Sequence, residues 1–359
     1  MTKVALIADT HWGVRNASPV FFDYFARGLE NFFDVLEKED IKHVIHLGDL
    51  FDQRKSINVL AVNRCRNDFL DRLDKMSINT HIIVGNHDVF YKNTNDVSSV
   101  EEFVGKRYDS IHIYTEPKVI TIDGTKIQLL PWISNVYDPD ILNVIAKSPA
   151  DILMGHLELT GFEMFRGSVS DHGMDRNLFN RYDVVCSGHF HHKSSVGNIN
   201  YLGAFAEYTW ADHRDPRGFH IFDTDDRSLT FIQNEESLFR MISFDDRKPD
   251  IVDFVNNFNY SSIRNTYVKV VNASNKNNPY AFDQFIDRLH TESPLNISVI
   301  EDMESFVEDN PEDTVDETAD TPSILSKYID GLTLSVDPDR MKSFMKEVYV
   351  EAIMQDKAL

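Results

Sequence analysis

Five short apolar runs in this chain end abruptly in polar residues. Lys3-VALIA leads into Asp9-Thr10-His11, His43-VIHL into Gly48-Asp49, and His81-IIV into Gly85-Asn86-His87-Asp88. Asp151-ILM leads into Gly155-His156, and Asp183-VVCS into Gly188-His189-Phe190-His191. Each run has the length of a strand and lacks clean alternation, as expected for strands covered on both faces. Helical patterns lie between them. Val20 to Lys38 spaces Phe21, Phe22, Phe25, Leu29, Phe32, Phe33 and Leu36 along one face, and Val59 to Met76 does so around Leu60, Phe69, Leu70 and Leu73. Strand alternating with helix predicts a layered α/β domain, in which function gathers beyond the carboxyl ends of the strands.

The polar endings fall at those ends. Four of the five place glycine before the first polar side chain, where it eases a sharp turn and keeps a Cβ out of a crowded site. Each piece alone is ordinary: an isolated Asp-x-His is usually a turn, and His43 and His46 read as core or surface histidines. Five coincidences in one order are another matter. They gather Asp9, His11, Asp49, Asn86, His87, His156, His189 and His191. Mixed oxygen and nitrogen donors in this number exceed the needs of one tetrahedral zinc and suit two octahedral cations. Carboxylate, amide and imidazole together favour Mn²⁺, with Mg²⁺ or iron left open. Two cations sharing one carboxylate sit about 3.5–4 Å apart, a spacing suited to water activation and in-line displacement at phosphorus.

The order Asp9-x-His11, Gly48-Asp49, Gly85-Asn86-His87-Asp88, Gly155-His156, Gly188-His189-x-His191 resembles the calcineurin-like metallophosphoesterase family. The resemblance implies a layered α/β sandwich in which Asp9, His11 and His191 hold one cation. Asn86, His156 and His189 would hold the second, and Asp49 would bridge. It also implies a catalytic role for His87, outside the metal shell, toward the leaving oxygen; Asp88 reads either as its orienting partner or as a solvent-facing turn residue. Asn200-Tyr-Leu-Gly-Ala204, Trp210-Ala-Asp212 and Pro216-Arg-Gly-Phe219 are similar to the segment closing the SbcD-type DNA-repair nucleases, as is Gly48-Asp49-Leu50-Phe51. The layout is most similar to the recombination endonuclease subunits of large virulent tailed phages. That implies a DNA exonuclease and structure-specific endonuclease working with an SMC-like, coiled-coil ATPase, as a homodimer within a heterotetramer in the bacterial host cytoplasm. Three departures stand out. Asp52 replaces a histidine frequent in cellular relatives, Ala204 replaces Ser or Thr, and the Gly-Asp-x-x-Asp-Arg-Gly string of protein phosphatases is absent, Gln53 following Asp52. The last favours a nuclease over the alternative, a phosphatase or small-molecule phosphodiesterase.

Residues 1–240 thus read as the nuclease domain. Residues 241–302 give strand, helix, strand, helix, strand from Leu238 onward, a small α/β module matching the region that grips DNA in these nucleases. Residues 303–322 are an acidic flexible linker without Lys or Arg. In 323–359, Met341, Phe344, Met345, Val348, Tyr349 and Ile353 line one helical face, a docking surface for a partner; the resemblance makes that partner the ATPase. With 359 residues, 42% apolar, the chain is long enough for several domains and contains no apolar stretch of membrane-spanning length. Two cysteines make no disulfide framework. A net charge of −22 excludes a broad basic face for nucleic acid, so any DNA contact must come from a local site. Basic residues near the ligand loops are Arg15, Arg54, Lys55, Arg64, Arg66 and Lys92, of which Arg15, Arg54, Lys55 and Lys92 are the DNA-binding candidates.

Overall fold

The computed structural model describes residues 2–165, 167–273, 278–301 and 341–342. The apolar runs pair into two six-stranded sheets. The first has the order Leu229–Gln233, Gly218–Asp223, Lys3–Ile7, His43–His46, Asn79–Ile83, Ile111–Tyr114. Its last four strands are parallel, and Gly218–Asp223 runs against Lys3–Ile7. The second has the order Ser194–Val196, Ile199–Tyr201, Val184–Gly188, Ile152–His156, Thr125–Leu130, Lys118–Ile122.

Continuous apolar runs follow from burial on both faces. Val4 and Leu6 join Ile45, Ile83, Ile127, Leu129, Ile152 and Met154 in the layer between the sheets. Ala5 and Ile7 face outward, into a cluster built by the helix Pro19–Lys38. That helix starts with proline at its first turn, where the missing N–H costs nothing, and buries Phe21, Phe22, Phe25, Leu29, Phe32, Phe33 and Leu36. On the far side, Ile145 of the helix Pro139–Lys147 packs with Leu153, Phe179 and Val185. Helix, sheet, sheet, helix is the layered α/β sandwich expected.

The stretch Val59 to Met76 needs correction. It is helical in three pieces, Val59–Cys65, a π-helical Arg66–Leu70 and Asp71–Lys75. Leu60 is 43% exposed, while Ala61, Val62, Cys65, Phe69, Leu70 and Leu73 form the buried face. A π-turn rotates the helix face, so one 3.6-residue period carried across it misplaces the earlier residues.

Beyond the sandwich, Phe239–Phe244, Ile251–Asn257, Tyr267–Asn272, Pro279–Thr291 and Asn296–Glu301 follow in the strand–helix order read from the pattern. Their three strands are parallel and share a core of Phe244, Val255, Val268, Val270, Phe285 and Leu289. Contacts tie Met1–Asp302 into one compact unit. Phe239, which opens the small sheet, packs on Phe21 of the long helix at 6.5 Å between ring centroids. Of the second unit, Met303–Leu359, only Met341 and Lys342 are described, both helical. The linker 303–322 and the residues Phe344, Met345, Val348, Tyr349 and Ile353 lie outside the described residues. Cys65 and Cys186 are buried free thiols. No described helix is long and apolar enough to cross a membrane.

The ring of Phe32, fully buried, lies 4.9 Å from Phe219 and 5.4 Å from Phe33, centroid to centroid, so it joins the long helix to the first sheet. Phe32→Ala is expected to lower the unfolding free energy by about 3–5 kcal/mol, read from urea denaturation.

Candidate metal centre

All five polar endings leave the carboxyl ends of mutually parallel strands, three side by side in the first sheet and two in the second. Backbone hydrogen bonds continue past the strands and fix the loops to one another: Asp9 N donates to Gly48 O at 3.0 Å and His11 N to Asp49 O at 3.1 Å. Glycine is required for space. A Cβ on Gly48 would run into the His156 ring, on Gly85 into the Asp49 carboxylate, and on Gly188 into Leu47 O. Gly48 also has φ +91°. Asp9, His11, Asp49 and His189 adopt left-handed backbone as well, at φ 51°, 44°, 54° and 89°. Non-glycine residues pay about 1–3 kcal/mol for such conformations, which concentrate at functional sites.

The side chains gather in two sets. His11 Nε2 lies 3.0 Å from His191 Nε2, and Asp9 offers its carboxylate to the same point. His156 Nε2 and His189 Nδ1 each lie 2.9 Å from Asn86 Oδ1. Asp49 stands between the sets, its Oδ2 3.4 Å from His156 Nε2 and 3.8 Å from His11 Nε2. Its other oxygen accepts the His87 N–H at 2.8 Å. His156 Nδ1 donates to Leu47 O at 2.7 Å, fixing the tautomer so that its Nε2 carries the lone pair when neutral.

This donor set fits divalent cations. Burial pushes the His189 and His191 imidazoles down to about 3 and holds His11 well below its ordinary value, so their lone pairs are unprotonated at neutral pH. His11 Nε2 and His191 Nε2 face each other across 3.0 Å, close enough to be joined either by a proton on one of them or by a shared cation. Burial and the neighbouring Asp49 raise Asp9 well above the carboxylate range. Burial also works against ionised Asp49, but His156 prevails and lowers it; burial likewise works against protonated His156, and Asp49 holds it up at about 9. A cation at His156 Nε2 would take that proton's place.

His87 sits beside this cluster, 4.9 Å from the His11 ring. Its Nδ1 donates to the Asp52 carbonyl at 2.6 Å, leaving Nε2 as the free ring nitrogen. Asp88 does not touch that ring. It is fully buried and accepts the N–H groups of Gly85 at 2.9 Å, Phe51 at 3.0 Å and Leu50 at 3.2 Å. Both sequence-based readings of Asp88 are therefore corrected: it is neither an orienting partner of His87 nor a solvent-facing turn residue, but the clamp joining two ligand loops. The turn at Gly85 folds it inward.

Three residues gave no sign of their roles in the sequence. Asp52 contacts His87 through its carbonyl and approaches His11 Nδ1 to 3.6 Å through its carboxylate. Tyr208 donates to the Asp9 carbonyl and places its ring 5.3 Å from His11 and 5.5 Å from His191. Trp132 covers the other set, 5.3 Å from the His189 ring. Among the basic candidates, Arg54 grips Asn86 O through Nε at 3.1 Å and Nη2 at 2.7 Å. Arg15 donates to Tyr208 O, and Lys55 and Lys92 are exposed. Arg64 is held by Asp23 and Asp68. His46 is a core histidine bonded to Thr10.

Parallel strands in two facing sheets, delivering carboxylate, amide and imidazole donors to one edge, define a metallophosphoesterase. The calcineurin-like phosphoesterase family pattern matches residues 2–193, and the chain belongs to that family. It is 30% identical over 352 residues to Exonuclease subunit 1 of Enterobacteria phage T4, covering 98% of this chain and 99% of that protein. It is 25% identical over 269 residues to a subunit of the nuclease SbcCD of Staphylococcus saprophyticus, covering 64% of this chain and 67% of that one.

Removing the clamp strands up to three buried donors. Asp88→Ala is expected to cost about 2–4 kcal/mol of unfolding free energy, measured by denaturant titration of the metal-free protein; a loss below about 0.5 kcal/mol would refute the clamp.

Proposed function

We propose that this chain is the nuclease subunit of a DNA recombination and repair complex, hydrolysing DNA phosphodiesters with two divalent cations, Mn²⁺ first among them. The observation that carries this reading is the position of Asp49 Oδ2, within 3.8 Å of an imidazole nitrogen from each donor set. Asp9, His11 and His191 would hold one cation, Asn86, His156 and His189 the other, and Asp49 both. Cations so held lower the pKa of water and polarise a phosphoryl oxygen.

The remaining steps belong to side chains. As the imidazolium, with its Nδ1–H fixed on the Asp52 carbonyl, His87 donates the Nε2 proton to the leaving oxygen and is left neutral, help worth about 10²–10⁴ in rate. Arg54 holds the Asn86 carbonyl and so keeps the amide aimed at its set; Arg15, Lys55 and Lys92 contact backbone phosphates. Support for DNA over other phosphoesters comes from the likeness, along nearly the whole chain, to a protein named an exonuclease subunit. Both relatives are named as subunits, which supports a partner. In this reading the partner is an SMC-like ATPase docked on 323–359, residues 241–302 grip DNA, and two copies pair within a heterotetramer in the host cytoplasm.

With Mn²⁺ added, the protein is expected to cleave linear DNA and to leave phosphopeptides and cyclic nucleotides untouched. His87→Gln is expected to bind the same metal content by elemental analysis while losing at least about 100-fold in kcat; cleavage at the normal rate would remove His87 from the chemistry. Deleting 336–359 should abolish co-purification with a coiled-coil ATPase while Mn²⁺-dependent cleavage survives. Continued association would move the docking site elsewhere.

A further inference from the structure

Against Trp132, and lined by none of the imidazoles, lies a cavity of about 280 Å³. Its walls are tied to the ligand loops. Trp132 N donates to Val84 O at 2.9 Å, one residue before Gly85. Asn95 Nδ2 donates to Trp132 O at 2.8 Å and to Thr115 O at 3.1 Å. The cavity is therefore held at a fixed place, one indole away from the set formed by Asn86, His156 and His189.

Its lining has two characters. Trp132 gives it an aromatic wall, Asn93 and Asn135 supply amides, and Asn95, whose N–H groups are spent on Trp132 O and Thr115 O, offers only its oxygen. Asn95 Oδ1 is buried without a hydrogen-bond partner. Asp96, Glu116 and Asp138 also line it. Three carboxylates repel a phosphate, so the cavity does not suit a second anionic group. A flat, neutral heterocycle with donors and acceptors on its edge fits both characters: a π-face for the indole and an edge for the amides.

We infer that this cavity receives an unstacked nucleobase, from a nucleotide flanking the phosphate held at the metal centre. The inference rests on the nuclease reading above and adds to it a division of labour. The cation side takes the phosphate, and the acidic, amide-lined side takes the base. The substrate this implies is single-stranded or locally unpaired at the cut, because a base within an intact duplex cannot leave its stack without cost.

The test uses the full-length protein with Mn²⁺ and single-stranded DNA carrying one abasic nucleotide, placed in turn on either side of the cleavage point. Wild type is expected to show a KM about tenfold higher for one of the two abasic substrates than for intact DNA, in keeping with the worth of one base–aromatic stack. Ser134→Tyr, which fills the cavity from its wall, is expected to give equal KM values for the two. Asn93→Ala is a second, milder variant at an exposed rim position, and should reduce the discrimination partly. Hydrolysis of bis(p-nitrophenyl) phosphate, a diester without a base, reports whether each variant keeps a working centre. Wild type indifferent to the missing base, or Ser134→Tyr still discriminating, would overturn the base site while leaving the nuclease reading intact. Wild type that hydrolyses the baseless diester but cuts no DNA would overturn the nuclease reading and this inference with it.

Discussion

The Asp49 carboxylate is the constraint around which the rest of the molecule is arranged. One oxygen is fixed by the His87 amide, and the other faces imidazoles that arrive on different sheets. Each donor set spans the sandwich: Asp9 and His11 meet His191, and Asn86 meets His156 and His189, always first sheet against second. No single loop could assemble either set. The site exists only while the inner layer of Leu6, Ile45 and Ile83 against Ile127, Ile152 and Met154 holds the sheets together. Packing and chemistry are thus one problem, and the glycines at 48, 85 and 188 are where it becomes tightest.

This explains which parts of the protein could be read from its sequence. The strand ends were legible because the site demands two uncommon things at once, a polar donor and a missing Cβ, directly after an apolar run. The small sheet was legible because Phe254, Val255, Phe285 and Leu289 keep helical spacing while Val268 and Val270 alternate into the same core. Lys118–Ile122 and Thr125–Leu130, an antiparallel pair at the sheet edge, carry no metal donor and were not read from the sequence. Leu60 was misplaced by the π-turn downstream of it.

Other features had no local signature. Tyr208 reaches Asp9 from 199 positions away, and Trp132 reaches His189 from a loop after the sixth strand. Only the fold brings them there. Asp88 misled for the opposite reason. It stands inside a motif of donors, yet its carboxylate turns toward three backbone N–H groups and away from the imidazoles. Sequence adjacency to His87 says nothing about direction at a turn. Asp52 contributes partly through its main-chain carbonyl, a role that any residue type could fill and that no motif records.

The electrostatics of the centre follow from the same arrangement. Asp9, Asp49 and Asp88 crowd three buried carboxylates around one point, and burial together with mutual repulsion raises Asp9 and brings Asp88 up to about 7. Left to itself, such a centre works against its own folding. Arg54 spends two of its N–H groups on the Asn86 carbonyl. In the proposed reading, divalent cations would supply the missing charge where the donors converge, and because each would bind both sheets in the native state only, their binding free energy would add to the stability of the sandwich. In the same reading, a protein with net charge −22 could meet a polyanion without a broad basic face, because attraction would concentrate where the cations sit.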